Sequence, residues 1–342
     1  MKLNSIISDG VVFQRNEPIT VFGEGHGKIT AKFLDEQKEC WADGKFCITF
    51  SPRPAGGPYE MFFSDETGQK KSVSHIMIGE VILLAGQSNA ELPISETYDR
   101  DTFFQTNENV RFFAPTRPET DEDFNLVALE SKFNEKWNML LSDTANEWPA
   151  IALHTAIYFY QKLHIAVGIV TCFKGASVIE SFLSEKAYEK FDVDQSKLMN
   201  DHFCPEYAAW NKPSFLFHYM LEKLIPFRIS AVIWYQGESN RTVYEGTFYD
   251  KMLIALIEEW RELFQVPKLP FIIVQIHLFP SADGDEGVVA IREAQKRAAE
   301  QTEYCCLVRI DDLGEYEKIH PENKKEVSLR ICAMLERLNQ YL

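Results

Sequence analysis

Short, continuously apolar runs recur along the greater part of this chain, with helix-length amphipathic stretches between them. The runs are Val81-Ile82-Leu83-Leu84-Ala85-Gly86, Ile165-Ala166-Val167-Gly168-Ile169-Val170, Ala231-Val232-Ile233-Trp234-Tyr235, Phe271-Ile272-Ile273-Val274-Gln275-Ile276 and Cys305-Cys306-Leu307-Val308-Arg309-Ile310. Runs of this length, rich in β-branched residues, read as strands covered on both faces. Helical periodicity falls at about 149–164, 213–226, 245–265, 287–302 and 322–341. The βαβα alternation predicts an α/β fold, a parallel sheet flanked by helices on both faces. In the last helix Pro321 is expected in the first turn, where its missing N–H costs nothing, with Glu322 favourable to the dipole.

Ahead of this pattern, residues 11 to about 75 hold Ile19-Thr20-Val21-Phe22, Lys28-Ile29-Thr30-Ala31-Lys32-Phe33 and Phe46-Cys47-Ile48-Thr49-Phe50, separated by Gly, Asp and Pro. These predict a small antiparallel β domain, so the chain divides into residues 1–75 and 76–342. The stretch 91–148 is charged and rich in Asn, Thr and Pro and is expected to form long loops over one end of the sheet.

Composition removes several classes of function. A net charge of −16 without a basic stripe argues against nucleic acid as a partner. No apolar run approaches the ~20 residues of a membrane span, so no membrane partner is expected. The first ten residues lack the apolar core of a signal peptide, so a cytoplasmic location is expected. The seven cysteines include no C-x-x-C pair and the eight histidines no H-E-x-x-H. Neither a metal nor a cofactor is therefore expected.

Residues able to carry chemistry follow the predicted strands. Gly86-Gln87-Ser88-Asn89-Ala90 places a serine just past strand 81–86, and ligands of open α/β sheets bind beyond the carboxyl ends of strands. There its Oγ can face a crevice while nearby N–H groups stabilise an oxyanion. The pattern is not G-x-S-x-G, so the α/β-hydrolase elbow is not matched. Serine needs a base. His320, in Glu317-Lys318-Ile319-His320-Pro321 after strand 305–310, is the leading candidate, and His277, which also ends a strand, competes. Trp234-Tyr235-Gln236-Gly237-Glu238-Ser239-Asn240 adds polar groups past a third strand. Gly175 follows a fourth, where its N–H can join an oxyanion site or serve only as a turn. All four segments converge on one sheet edge.

On these residues the chain resembles the SGNH hydrolases, and among them the sialate O-acetylesterase-like carbohydrate esterases. Gly86-Gln87-Ser88-Asn89 is similar to the first family block, Gly175 to the second-block glycine, Trp234 to Asn240 to the third, and Ile319-His320-Pro321 with Lys324 to the last. Weaker similarity covers Val11 to Arg15, Ala42 to Phe46, Ala55 to Tyr59 and Arg292 to Gln295. The resemblance implies an SGNH or flavodoxin-like three-layer fold and a serine acetylesterase acting on an acetylated carbohydrate, without cofactor. Ser88 would be its nucleophile and His320 its base. Glu317, three residues before the histidine, or Glu238 of the Q-G-E motif would supply the acid, with Asp311 and Asp312 near in sequence. The N–H groups of Ser88 and Gly175 and the Gln236 side chain would hold the oxyanion, with Gln87, Asn89 and Asn240 at the substrate site. Ala176-Ser177 departs from the glycine and threonine common there. A sialate is the leading substrate. Acetylated xylan or mannan is the alternative, as is a carbohydrate-binding protein whose catalytic site has decayed.

Overall fold

The computed structural model describes residues 1–199, 202–281 and 284–338; the final residues of the expected last helix, 339–341, lie outside them. The N-terminal part is built from long antiparallel ribbons. Strand β1 (Ile19–Phe33) pairs along its whole length with β2 (Glu36–Phe50), and its end, Ile29 to Phe33, with β3 (Gly56–Asp65). The alternating apolar residues of β1 and β2, such as Ile29, Ala31, Phe33, Phe46, Ile48 and Phe50, point to one buried face, the period-2 pattern of a sheet covered on one side.

Strand β4 (Lys70–Gly86) joins the two halves of the molecule. Its first half pairs antiparallel with β3, while residues 80–86 run parallel to strands of the second sheet. It passes through residues 75 and 76 without a break. The one-turn helix α1 (Ser88–Glu91) follows at once.

The second sheet continues through β5 (Asn107–Phe113), β6 (Trp137–Leu140), helix α2 (Ala150–Leu163), β7 (Val167–Phe173), β8 (Ala231–Tyr235), helix α3 (Tyr249–Leu263), β9 (Phe271–Val274), helix α4 (Asp285–Gln301), β10 (Cys305–Val308) and helix α5 (Lys324–Leu338). The spatial order is β6-β5-β7-β4-β8-β9-β10, parallel throughout except for β6 at the edge. Residues 81–85 of β4 are fully buried, as a central strand covered on both faces requires.

Three sequence expectations are corrected. The stretch 91–148 is not only loop: β5 and β6 extend the main sheet, their Val110, Phe112, Phe113 and Trp137 buried in its core. The periodicity at 213–226 gives a short π turn, Phe217–Leu221, and a 3-10 turn rather than a regular helix. Helix α5 begins at Lys324, so Pro321 stands before it and not in its first turn. Among the described residues no helix is long and apolar enough to cross a membrane.

Because β7 and β8 flank β4 on opposite sides, while the chain visits one side of the sheet before the other, the end of β4 lies at a topological switch point. Crevices open at such points in doubly wound sheets.

Candidate active site

Gly86 closes β4 at φ +136, and a Cβ there would stand 2.1 Å from the Tyr235 carbonyl oxygen of β8. Only glycine lets the two strand ends approach so closely. The chain then turns into α1, which leaves Ser88 half-buried past the strand end while Gln87 and Asn89 are buried.

His320 arrives from the loop after β10, and its Nε2 lies 2.8 Å from Ser88 Oγ. This is hydrogen-bond distance for a nucleophile and its base. Burial, with Lys324 and His277 adding to it, holds the His320 imidazole below its usual pKa, so the ring is neutral and able to accept a proton at pH 7. The histidine bonded to the serine is His320 and not His277, which lies under the 314–318 loop with Nε2 3.4 Å from the Glu315 carbonyl. A Cβ on Gly314 would overlap its ring. Its place is beneath the loop that carries His320.

Neither glutamate expected as the acid reaches His320. Glu317 is exposed, and no bond joins it to the histidine. Glu238 is buried beside the site, where its Oε1 accepts from Asn89 Nδ2 at 2.5 Å. The same Asn89 nitrogen donates to the Ile319 carbonyl at 3.0 Å, and Lys324 Nζ donates to Asn89 Oδ1 at 2.5 Å. Glu238 therefore bears on His320 only through Asn89 and the peptide preceding the histidine. Burial raises the pKa of the Glu238 carboxyl and lowers that of Lys324 to about 7. Asp311 and Asp312 are engaged elsewhere, with Arg292 and Arg309 and with Arg330 respectively. Among the described residues no carboxylate bonds to His320, so the geometry is a Ser–His pair.

The expected oxyanion and substrate groups also separate. Gln236 is fully buried; its amide nitrogen donates to the Ser177 carbonyl and to Asn240 Oδ1, both at 2.9 Å, and its Oε1 accepts from Tyr249 Oη at 2.7 Å. With both amide hydrogens engaged in the core it has none to give an oxyanion. Gln87 is likewise committed: its Oε1 accepts from the N–H groups of Gly237 (3.1 Å) and Ser239 (3.3 Å), tying the end of β4 to the loop after β8. Asn240 Oδ1 accepts from Ile179 N at 3.0 Å, while Asn89 holds the His320 loop. These amides build the crevice rather than line it, because a buried polar group must find its partners inside.

Gly175 does stand beside Ser88, so close that a Cβ on it would be 3.8 Å from Ser88 Cβ. Its N–H donates to Glu91 Oε2 at 2.9 Å. Glu91 was not anticipated, although the signal was present: it lies three residues after Ser88 and so on the same face of the helical turn. Its other oxygen pairs with Arg117, whose guanidinium stacks 5.5 Å from the Phe173 ring centre.

The sequence signature of the family described as carbohydrate esterase, sialic acid-specific acetylesterase, spans residues 78–335. The sialate O-acetylesterase of Homo sapiens is 23% identical over 311 residues, covering 83% of this chain and 58% of its own length. That of Pongo abelii is 24% identical over 312 residues with the same shares. The chain thus spans a little over half the length of these curated relatives. Among solved structures, the carbohydrate acetylesterase XAC1771 from Xanthomonas citri matches with a TM-score of 0.84 and 25% identity, covering 98% of this chain and 75% of that one.

Proposed function

Since the chain belongs to the sialic acid-specific acetylesterase family of carbohydrate esterases, we propose that it is a carbohydrate O-acetylesterase in which Ser88 and His320 act as nucleophile and base. The observation that carries this reading is the 2.8 Å contact between His320 Nε2 and Ser88 Oγ, past the carboxyl end of β4. His320 takes the Oγ proton as Oγ bonds to the acetyl carbon. The tetrahedral intermediate collapses as the C–O bond to the sugar breaks, and His320 returns the proton to the departing sugar oxygen. Water, deprotonated by the same ring, attacks the acetyl-serine, and as the bond from the acyl carbon to Oγ breaks the ring returns the proton to Ser88 and acetate is released.

The developing oxyanion has the N–H of Gly175 and that of Ser88, at the head of α1, as donors. The first of these is held by Glu91, so the substrate oxygen must displace that carboxylate. One such donor is worth about 3 kcal/mol of barrier. Apart from water, these steps use only side chains and backbone groups of the chain.

A sialate is the preferred substrate class, on the strength of the family and of the sialate O-acetylesterases the chain is similar to. Hydrolysis of p-nitrophenyl acetate by the wild type, lost in Ser88→Ala, tests the reaction class; an inert wild type would favour a decayed binding protein. Acetate release from O-acetylated sialic acids against acetylated xylo- and manno-oligosaccharides tests the sugar. A clear preference for the latter pair would move the assignment to a plant-polysaccharide esterase.

A further inference from the structure

Beneath the loops that follow β7 and β8, three metal-ligating side chains from separate segments meet in the interior. Glu180 lies in a 3-10 turn after β7, His202 in the segment before β8, and Glu245 in the turn that precedes α3. All are buried, and one ligand atom from each lies within 4.8 Å of the others. We propose that Glu180, His202 and Glu245 bind one divalent metal ion, with Zn2+ the ion they fit best.

The tautomer of His202 is the first argument. Its Nδ1 is 3.1 Å from the Met199 carbonyl oxygen, which can only accept, so Nδ1 carries the hydrogen. In the neutral ring Nε2 then presents a lone pair, and it faces Glu180 Oε1 at 3.5 Å and Glu245 Oε1 at 3.6 Å. Three electron-rich atoms converge on one point. A protonated ring could bridge them, but charge-assisted N–H···O bonds close to about 2.7–2.9 Å. Donors on a tetrahedral ion with bonds of about 2.0–2.1 Å stand roughly 3.3–3.4 Å apart, much nearer the spacing found.

The surroundings are those of a supported ligand set. The Met199 carbonyl fixes the ring, and Asn240 Nδ2 donates to Glu180 Oε2 at 2.9 Å and to Glu245 Oε1 at 3.2 Å. Thr242 donates through its N–H (3.0 Å) and its hydroxyl (2.7 Å) to Glu245 Oε2. Such outer partners orient first ligands and raise their affinity. Two glutamates and an imidazole offer two oxygens and one nitrogen, a donor set that suits zinc, and a divalent cation cancels the charge the carboxylates carry once its binding displaces their protons. A cavity of about 230 Å³ lined by Glu180, His202, Leu198 and Phe203 adjoins the cluster, giving an entry path and room for a water as fourth ligand. Asn240 connects the ion to Gln236 and Ile179, so the metal would pin together the two loops that carry Gly175 and Glu238.

The proposal is independent of the esterase reading, and its test reads binding and not turnover. The full chain, stripped with chelator and dialysed, is titrated with Zn2+ by calorimetry and followed by thermal unfolding. We expect one saturable Zn2+ per chain with a rise in Tm of several degrees, and a far smaller shift with Mg2+, which demands octahedral oxygen ligands. His202→Gln and Glu245→Gln, checked for folding by circular dichroism, should lose both the binding and the shift. Absence of saturable binding, or undiminished binding in both variants, overturns the proposal. Should the variants not fold, X-ray absorption at the zinc edge of the loaded wild type decides: nitrogen and oxygen ligands support the site, and sulfur ligands, from the free cysteines, overturn it.

Discussion

At the scale of single residues the proposed mechanism gives Ser88 and His320 the chemistry and leaves their neighbours to position them. Burial and two neighbouring cations in waiting, Lys324 and His277, lower the pKa of His320. A base with a depressed pKa is deprotonated above it, so kcat/KM should fall only as the pH drops through an apparent pKa below the ordinary 6.5 of histidine. A pH profile of p-nitrophenyl acetate hydrolysis checks this; an inflection above 6.5 would mean that a carboxylate stabilises the imidazolium after all. The two glutamates should behave differently from each other. Glu317 is exposed and unattached to His320, so Glu317→Gln should leave kcat/KM within about twofold. Glu238 acts through Asn89 on the Ile319 peptide, and Glu238→Gln should cost about tenfold, chiefly in kcat, by loosening the histidine. A drop of several orders of magnitude in the Glu317 variant would place that carboxylate on the ring during turnover. Glu91 is the third case. Because its carboxylate occupies the N–H of Gly175 and bonds to charged groups are worth about 1.5–3 kcal/mol, Glu91→Ala should raise kcat/KM several-fold on the small neutral ester. A loss there would show that Glu91 assists the reaction.

At the scale of elements, what the sequence made legible is what local pattern dictates. The apolar runs at 81–86 and 231–235 and the first four residues of 271–276 are buried parallel strands, the form that a doubly covered sheet gives such runs. Ser88 and His320, read from loops past strand ends, meet across 232 residues of sequence. Polar residues in the same motifs read locally as chemical groups but are framework: Gln236 and Gln87 are buried and spend their amides on the Ser177 carbonyl and the Gly237 N–H. Strand β5 escaped because Asn107-Glu108-Asn109 precedes its apolar half, and its pairing with β7 is fixed by tertiary contact. The cluster of Glu180, His202 and Glu245 has no spacing signature, its ligands coming from three distant segments. The loop after β7 carries a cost visible in its backbone. Ala176 sits at φ +55, a left-handed conformation that costs an L-residue about 1–2 kcal/mol. Ala176→Gly relieves this, and part of the gain is lost to the greater freedom of glycine in the unfolded chain. A net stabilisation of about 0.5–1 kcal/mol is expected, read as a higher denaturation midpoint at unchanged slope. An unchanged or lower midpoint would mean that the loop tolerates alanine without strain.

At the scale of the whole molecule, the antiparallel ribbons and the parallel sheet are joined by more than a linker. Strand β4 contributes its first half to one and its second half to the other, so neither sheet can lose it and stay intact. Side chains bind across the junction as well: Trp137 Nε1 donates to the Ile6 carbonyl at 2.8 Å, and Arg111 Nη1 donates to the carbonyls of Gly10 (2.6 Å) and His75 (2.7 Å). Phe13 packs on Phe227 with ring centres 5.6 Å apart, and Trp137 lies 6.2 Å from the same ring. Parts that share a strand and an aromatic cluster lose both together when either opens, and that sharing is what makes unfolding cooperative. The protein should therefore unfold by heat or urea in one transition, with tryptophan fluorescence and far-ultraviolet circular dichroism giving the same midpoint. Removing β1 to β3 should leave the buried face of β4, with Val73, Ile76 and Ile78, open to water and the remainder aggregated. Two separated transitions, or a soluble and active remainder, would show that residues 1–75 fold as an independent unit and that the proposed Ser88–His320 site needs only the parallel sheet.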